Sequence, residues 1–147
     1  MLKIVINNKK IDLENSKSIE SLTNENFKEK NFVAARVDNK LVDMSNHIES
    51  DCKIELIKST DQEGLEIIRH TCAHVFGHAI KQIYPDCKMV IGPVIDNGFY
   101  YDVLTKETIS EKDLITIEKL MKKLAKKNYI ITREVVTKDK AIKIFKK

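Results

Sequence analysis

The chain has 147 residues, enough for one ordinary domain or two small ones, with 42% hydrophobic and 33% charged residues, the balance of a soluble globular protein. No apolar run approaches the ~18 residues a membrane span requires, and the opening "MLKIVINNKK" lacks a signal peptide's long apolar stretch, so a cytoplasmic protein with no membrane partner is expected. The three cysteines, Cys52, Cys72 and Cys87, form no CxxC pair, which points to reduced thiols rather than a disulfide frame or a complete zinc site.

Charge is uneven along the chain. Residues 1–60 hold ten basic and ten acidic side chains, residues 61–105 three and six, and residues 106–147 thirteen and six, a net +7. A basic tail facing phosphate is one reading. Coding bias is the other, because 23 of the 26 basic residues are lysine.

In chain order, "LKIVI" alternates, with Leu2, Ile4 and Ile6 on one face. "NNKK" reads as a turn, "IDL" as a returning strand and "SIESLTNENF" as a short helix. "FVAARV", "DNK" and "LVDM" suggest a hairpin, and "CKIELIK" a last strand. Strands around one helix over residues 1–60 predict a small ubiquitin-like α+β unit without a nucleophile, a phosphate loop or a metal cluster. A second unit is expected from residue 61. Ser59-x-x-Gln62 and Thr60-x-x-Glu63 both have capping-box spacing and predict a helix that runs to about Tyr84, before Pro85.

"KMVIGPVIDNGFYYDV" is strand-like on both sides of Asn97-Gly98, a pair favoured in tight hairpins, and Gly92-Pro93 should bend its first arm. "SEKDLITIEKLMKKLAKKN" predicts a helix capped by Ser110, with Leu114, Ile117, Met121 and Leu124 inward and lysines outward. "YIITREVV" predicts a strand, and "KDKAIKIFKK" another helix. This second unit reads as the first half of a larger α/β domain.

"RHTCAHVFGHA" places His70, His74 and His78 at intervals of four. On a wheel of ~100° per residue with Leu65 at zero, they fall at about 140°, 180° and 220°. Leu65, Ile68, Cys72, Val75, Phe76, Ala79 and Ile83 lie opposite, between about 280° and 20°. Three readings follow: a solvated face, a metal site, or a cleft lined by groups that move protons and position water. The zinc-protease pattern HExxH is not met, since Thr71 and Cys72 follow His70, and no complete four-ligand set is evident. Ala73 and Gly77 would leave room for a ligand beside the histidines. His47, in a polar loop, reads as a surface residue.

"QEGLEIIRHTCAHVFGHAIKQIYP" followed by "KMVIGPVIDNGFYYDV" resembles the start of the editing domain of bacterial threonyl-tRNA synthetases. "VDNKLVDMSNHIESDCKIELI" is similar to part of their N-terminal TGS domain, a β-grasp module. The resemblance implies a TGS domain over 1–60 and an incomplete editing domain over 61–147. It also implies an enzyme that joins threonine to tRNA(Thr) using ATP and hydrolyses mischarged seryl-tRNA. The family's HxxxH pair falls on His70 and His74, with roles in holding the tRNA 3′ end and positioning the attacking water. Tyr101 matches a tyrosine of that pocket, and His78 and Gly92 are further candidates for substrate contact. No cofactor or metal is expected on this chain itself. ATP, magnesium and zinc are implied for the family's aminoacylation domain, and a homodimer for the full-length family. A later Cys-x-x-x-His pair of the editing site has no match here, so the chain alone is expected to be inactive. The alternative is a free-standing TGS-containing tRNA-binding or trans-editing protein.

Overall fold

The computed structural model describes residues 1–131 and 134–146. In the first sixty residues, two tight turns set the hairpins. Strand β1 (Leu2–Ile6) turns through Asn7-Asn8 into β2 (Lys9–Leu13), longer than the expected "IDL". After β3 (Lys17–Ser18) and helix α1 (Ile19–Asn26), β4 (Phe32–Val37) turns through Asp38-Asn39 into β5 (Lys40–Val42). Both central residues of each turn have positive φ, 45° and 69° in the first and 47° and 69° in the second. Asn and Asp tolerate that region because their short polar side chains bond locally, and its twist matches that of the strands.

Short β6 (His47–Ile48) pairs with β3, and β7 (Cys52–Lys58) completes a five-stranded sheet in the order β2-β1-β7-β4-β5. The central strand β7 is parallel to β1, and the other pairs are antiparallel. Ile4, Ile6 and Ile54 from the sheet bury against Ile19 and Leu22 of α1. Ser18 caps α1, its hydroxyl accepting from Ser21 N.

Helix α2 (Gln62–Ile83) follows and ends before Pro85. Its start differs from the expected capping boxes: Asp61 is the N-cap, and its carboxylate accepts from Lys58 N at 2.8 Å instead of closing on the helix. Gly64 permits this approach, since a Cβ there would run into the Lys58 carbonyl.

The next segment folds as a broken hairpin. β8 (Lys88–Ile91) pairs with β11 (Asp102–Leu104), and between them β9 (Val94–Ile95) pairs with β10 (Gly98–Phe99). Gly92-Pro93 separates β8 from β9, as expected, and a bulge falls at Asp102/Val103. Ile95 pairs with Gly98, so Asp96-Asn97 forms the turn and Gly98 opens the returning strand. That differs from a turn centred on Asn97-Gly98, and neither residue of that pair has positive φ.

Helix α3 (Glu111–Lys126) begins in a capping box between Ser110 and Asp113. It packs on α2 and the hairpin through Ile117, 2% exposed, with Leu120, Met121 and Leu124 beside Ala79, Ile80, Met89 and Val103. Leu114, expected inward, is 54% exposed. At about 60° from Ile117 it lies on the rim of the buried arc, and Leu120 fills the core position instead.

The strand expected over 129–136 is not formed by its described residues, and Thr132 and Arg133 of that segment lie outside the described residues. Tyr129, Ile130, Ile131 and Val135 are exposed, and α4 (Lys138–Phe145) buries no side chain among the described residues. The described architecture is mixed α and β, compatible with an α+β fold. No helix among the described residues is long and apolar enough to cross a membrane.

Candidate functional site

The i,i+4 spacing carries His70 and His74 to one exposed face of α2, a turn apart. Their Nε2 atoms lie 2.9 Å from each other, and the rings meet edge to face with centroids 4.6 Å apart. At that distance one Nε2 donates and the other accepts, so the pair shares a single proton between two imidazoles. His78 continues the row and is exposed. Its carbonyl accepts from the Gln82 amide at 3.3 Å; no hydrogen bond ties its ring to the pair among the described residues.

A groove of about 590 Å³ runs along α2 from its first turn to His70. Leu41 of β5 forms one wall, Val94, Ile95 and Asp96 the other, and Glu63, Glu66 and Ile67 the floor. Two polar contacts hold the walls in place. Arg36 of β4 donates to Glu63 at 2.5 Å, and Arg69 donates to the Asp96 carbonyl at 2.6 Å, fastening the β9–β10 turn to the helix.

Tyr101 and Gly92 come together elsewhere. The Tyr101 ring covers the open face of Gly92 and tilts over Phe76, centroids 5.7 Å apart, with Phe99 at 6.5 Å on the same phenylalanine. Phe76 points about 160° around the helix from His74. The structure therefore forms two pairs, His70–His74 and Gly92–Tyr101, on different flanks of α2.

The covered face of α2 is rotated from the expected one. Ala73, Ala79 and Ile80 are buried, whereas Leu65 and Ile68 are 36% and 40% exposed. Ala73 is buried and offers a ligand no open space, whereas Gly77 is half-buried and a Cβ there would meet Met89 Cε in ordinary contact at 3.4 Å. Cys72, expected in the core, is only partly covered.

Leu41, Glu66 and Asp96 are not singled out by sequence, and Glu63 only as a helix-capping residue. One signal was available for Glu66, because Gln62, Glu66, His70, His74 and His78 form a single i,i+4 ladder, and Gln62 donates to Glu66 at 3.2 Å. Leu41 and Asp96 have no such signal, since only the fold brings them to α2.

Among the described residues no three His, Cys, Asp or Glu side chains converge as metal ligands. What the site offers is proton transfer. An imidazole with a free lone pair can take a proton from water, and its neighbour can hold that imidazole in the required tautomer.

No family model matches the chain. Threonine--tRNA ligase of Francisella philomiragia subsp. philomiragia is 54% identical over 114 residues, 78% of this chain and 18% of that protein. Threonine--tRNA ligase of Francisella tularensis subsp. novicida is likewise 54% identical over 114 residues with the same coverage, and that of subsp. holarctica 53% identical. These relatives are aminoacyl-tRNA synthetases by name, and the chain spans 18% of their length. Over most of its residues the chain is thus similar to the N-terminal region of threonine--tRNA ligase.

Proposed function

We propose that this chain acts as the N-terminal part of a threonine--tRNA ligase, with residues 1–60 as a TGS module and residues 61–147 as the first portion of an editing domain. The parallel β1–β7 centre of the sheet, crossed by α1, supports a β-grasp reading of the first unit. The whole enzyme would attach threonine to tRNA(Thr) using ATP and clear seryl-tRNA. ATP, magnesium and zinc would be held by residues outside this chain.

The observation that carries the editing reading is the His70–His74 pair, with Nε2 atoms 2.9 Å apart on an open face at the end of a groove. Serine lacks one methyl of threonine, and a missing methyl is worth only ~1–3 kcal/mol to a binding pocket. A second, hydrolytic site is the physical remedy. There a water would attack the ester carbonyl, losing its proton to one imidazole, and that imidazolium would return the proton to the ribose oxygen as its bond to the carbonyl carbon breaks. Serine and a free 3′ end are released. Tyr101 and Gly92 would act from the hairpin as a shaped wall rather than by touching the histidines.

The test is a chimera in which residues 1–147 replace the matching segment of the Francisella philomiragia enzyme. Seryl-tRNA hydrolysis should fall by about 100-fold or more in His70→Ala and in His74→Ala, the range for removing a general base. Unchanged hydrolysis in both variants would sink the editing role of the pair.

A further inference from the structure

Helix α3 uses one face for the core and leaves another with no assigned task. With the buried Ile117 as zero, Lys122, Lys126, Lys119, Lys112 and Lys123 fall between about 140° and 240° around the helix. Ile115, at about 160°, is the single other residue in that outward arc. All five lysines are exposed, and Glu111, Glu118 and Asp113 lie outside the arc. Among the described residues only Lys122 has a carboxylate partner, Glu118 at 2.6 Å. From Lys112 to Lys126 the row extends about 21 Å at 1.5 Å per residue.

Two plain explanations cover only part of this row. Lysines in the last turn favour the helix dipole, which accounts for Lys123 and Lys126 but not for Lys112 or Lys119. A solvated surface helix usually mixes signs around its exposed side, with carboxylates four residues before lysines; here that pattern occurs once. An uninterrupted single-sign arc raises local potential at a stability cost, which suits an anionic partner.

We infer that the outward face of α3 is a docking strip for the sugar-phosphate backbone of tRNA, with Lys112, Lys119, Lys123 and Lys126 as the contacts. The inference rests on the reading of this chain as part of a tRNA ligase. A straight row of ammonium groups neutralises phosphates without reading bases, so it adds affinity and orientation and no sequence preference. An anionic membrane is the competing polyanion. A membrane-surface helix pairs its cationic face with an apolar face buried in lipid, and the apolar face of α3 is already occupied by α2 and the hairpin.

The test measures binding of the 147-residue chain to tRNA(Thr) transcript across 50–200 mM salt. The comparison is with a Lys119→Gln/Lys123→Gln/Lys126→Gln variant. Each phosphate contact contributes roughly 0.7–0.9 to the log–log salt slope, so the variant's slope should be shallower by about two to three. A control variant, Lys3→Gln/Lys10→Gln/Lys40→Gln, removes the same charge from the first unit and should change the slope less. An unchanged slope in the α3 variant, or an equal loss in the control, overturns the strip and leaves the ligase reading standing. Binding that is tighter to phosphatidylserine vesicles than to tRNA, and is lost with the same three lysines, overturns it in favour of a membrane. No tRNA binding by the unaltered chain overturns the strip and removes support from the tRNA-handling reading as well.

Discussion

The Tyr101 ring rests directly on Gly92: a Cβ placed on that glycine would sit 2.5 Å from two ring carbons. The glycine is therefore kept by close approach, since its φ is not positive and any residue could adopt its backbone. Gly92→Ala must displace the ring and disturb its packing on Phe76. A stability loss of about 1–3 kcal/mol is expected, the range for overpacking a filled site. In a Tyr101→Ala background the same change should cost much less, because the two residues share one contact. Urea midpoints of the two singles and the double check this, and simple additivity would contradict it.

The contacts that join the first unit to α2 differ in strength. The Arg36–Glu63 ion pair is close, at 2.5 Å, but its side chains remain 38% and 31% exposed, and such pairs contribute about 0.2–1 kcal/mol. Gly64 lies against the Lys58 carbonyl, where backbone leaves a methyl no room. Gly64→Ala should cost on the order of 1–3 kcal/mol and Glu63→Ala less than about 1 kcal/mol. Equal midpoint shifts in denaturation would show that the backbone yields where a rigid contact is inferred.

Elements governed by their own residues were legible in sequence. Asn7-Asn8 and Asp38-Asn39 mark their turns by residue type, and Ser110 with Asp113 closes α3 locally. The three-histidine row follows from helical spacing alone. The covered face of α2 was not legible, because Leu65 and Ile68 are as apolar as Ile80 and only the landing positions of α3 and the hairpin decide which are buried. For the same reason Tyr101 could be named by resemblance, while its place on the Phe76 flank, away from His74, could not. The segment at 129–136 has strand-forming side chains, but its described residues have no neighbouring strand to pair with.

The junction of α2 and α3 should respond to pH. Asp113 is held below its ordinary 3.8, first by the Ser110 hydroxyl, then by the Ser110 backbone N–H and the Tyr84 hydroxyl. Tyr84 is raised above its ordinary 10.0, chiefly by its hydrogen bond to Asp113 and then by burial. A carboxyl with a depressed folded pKa stabilises above its unfolded value and loses that contribution as pH falls through the folded one. The phenol's contribution is full below 10.0 and is lost as pH rises through its raised value. Asp113→Asn keeps an acceptor oxygen and removes the charge. Its Tm deficit should be constant near neutral pH and shrink below about pH 4. A deficit that persists unchanged at acid pH would assign the effect to shape.

The histidine pair makes a prediction independent of any activity. Because His70 and His74 share one proton between their Nε2 atoms, neutral imidazoles there must be in different tautomers, one protonated at Nε2 and the other at Nδ1. Long-range ¹H–¹⁵N spectra at alkaline pH should show one of each. His74→Ala removes the constraint, so the His70 signals should shift, while His78, outside the pair, should change little. The consequence for chemistry is directional. The imidazole with its proton on Nδ1 has its Nε2 lone pair engaged by the other ring, so the lone pair left to take a proton from water is Nδ1 of the ring that donates from Nε2. Two Nε2–H tautomers in the unaltered chain would break this assignment, since both nitrogens would then be donors and the 2.9 Å contact could not be a hydrogen bond.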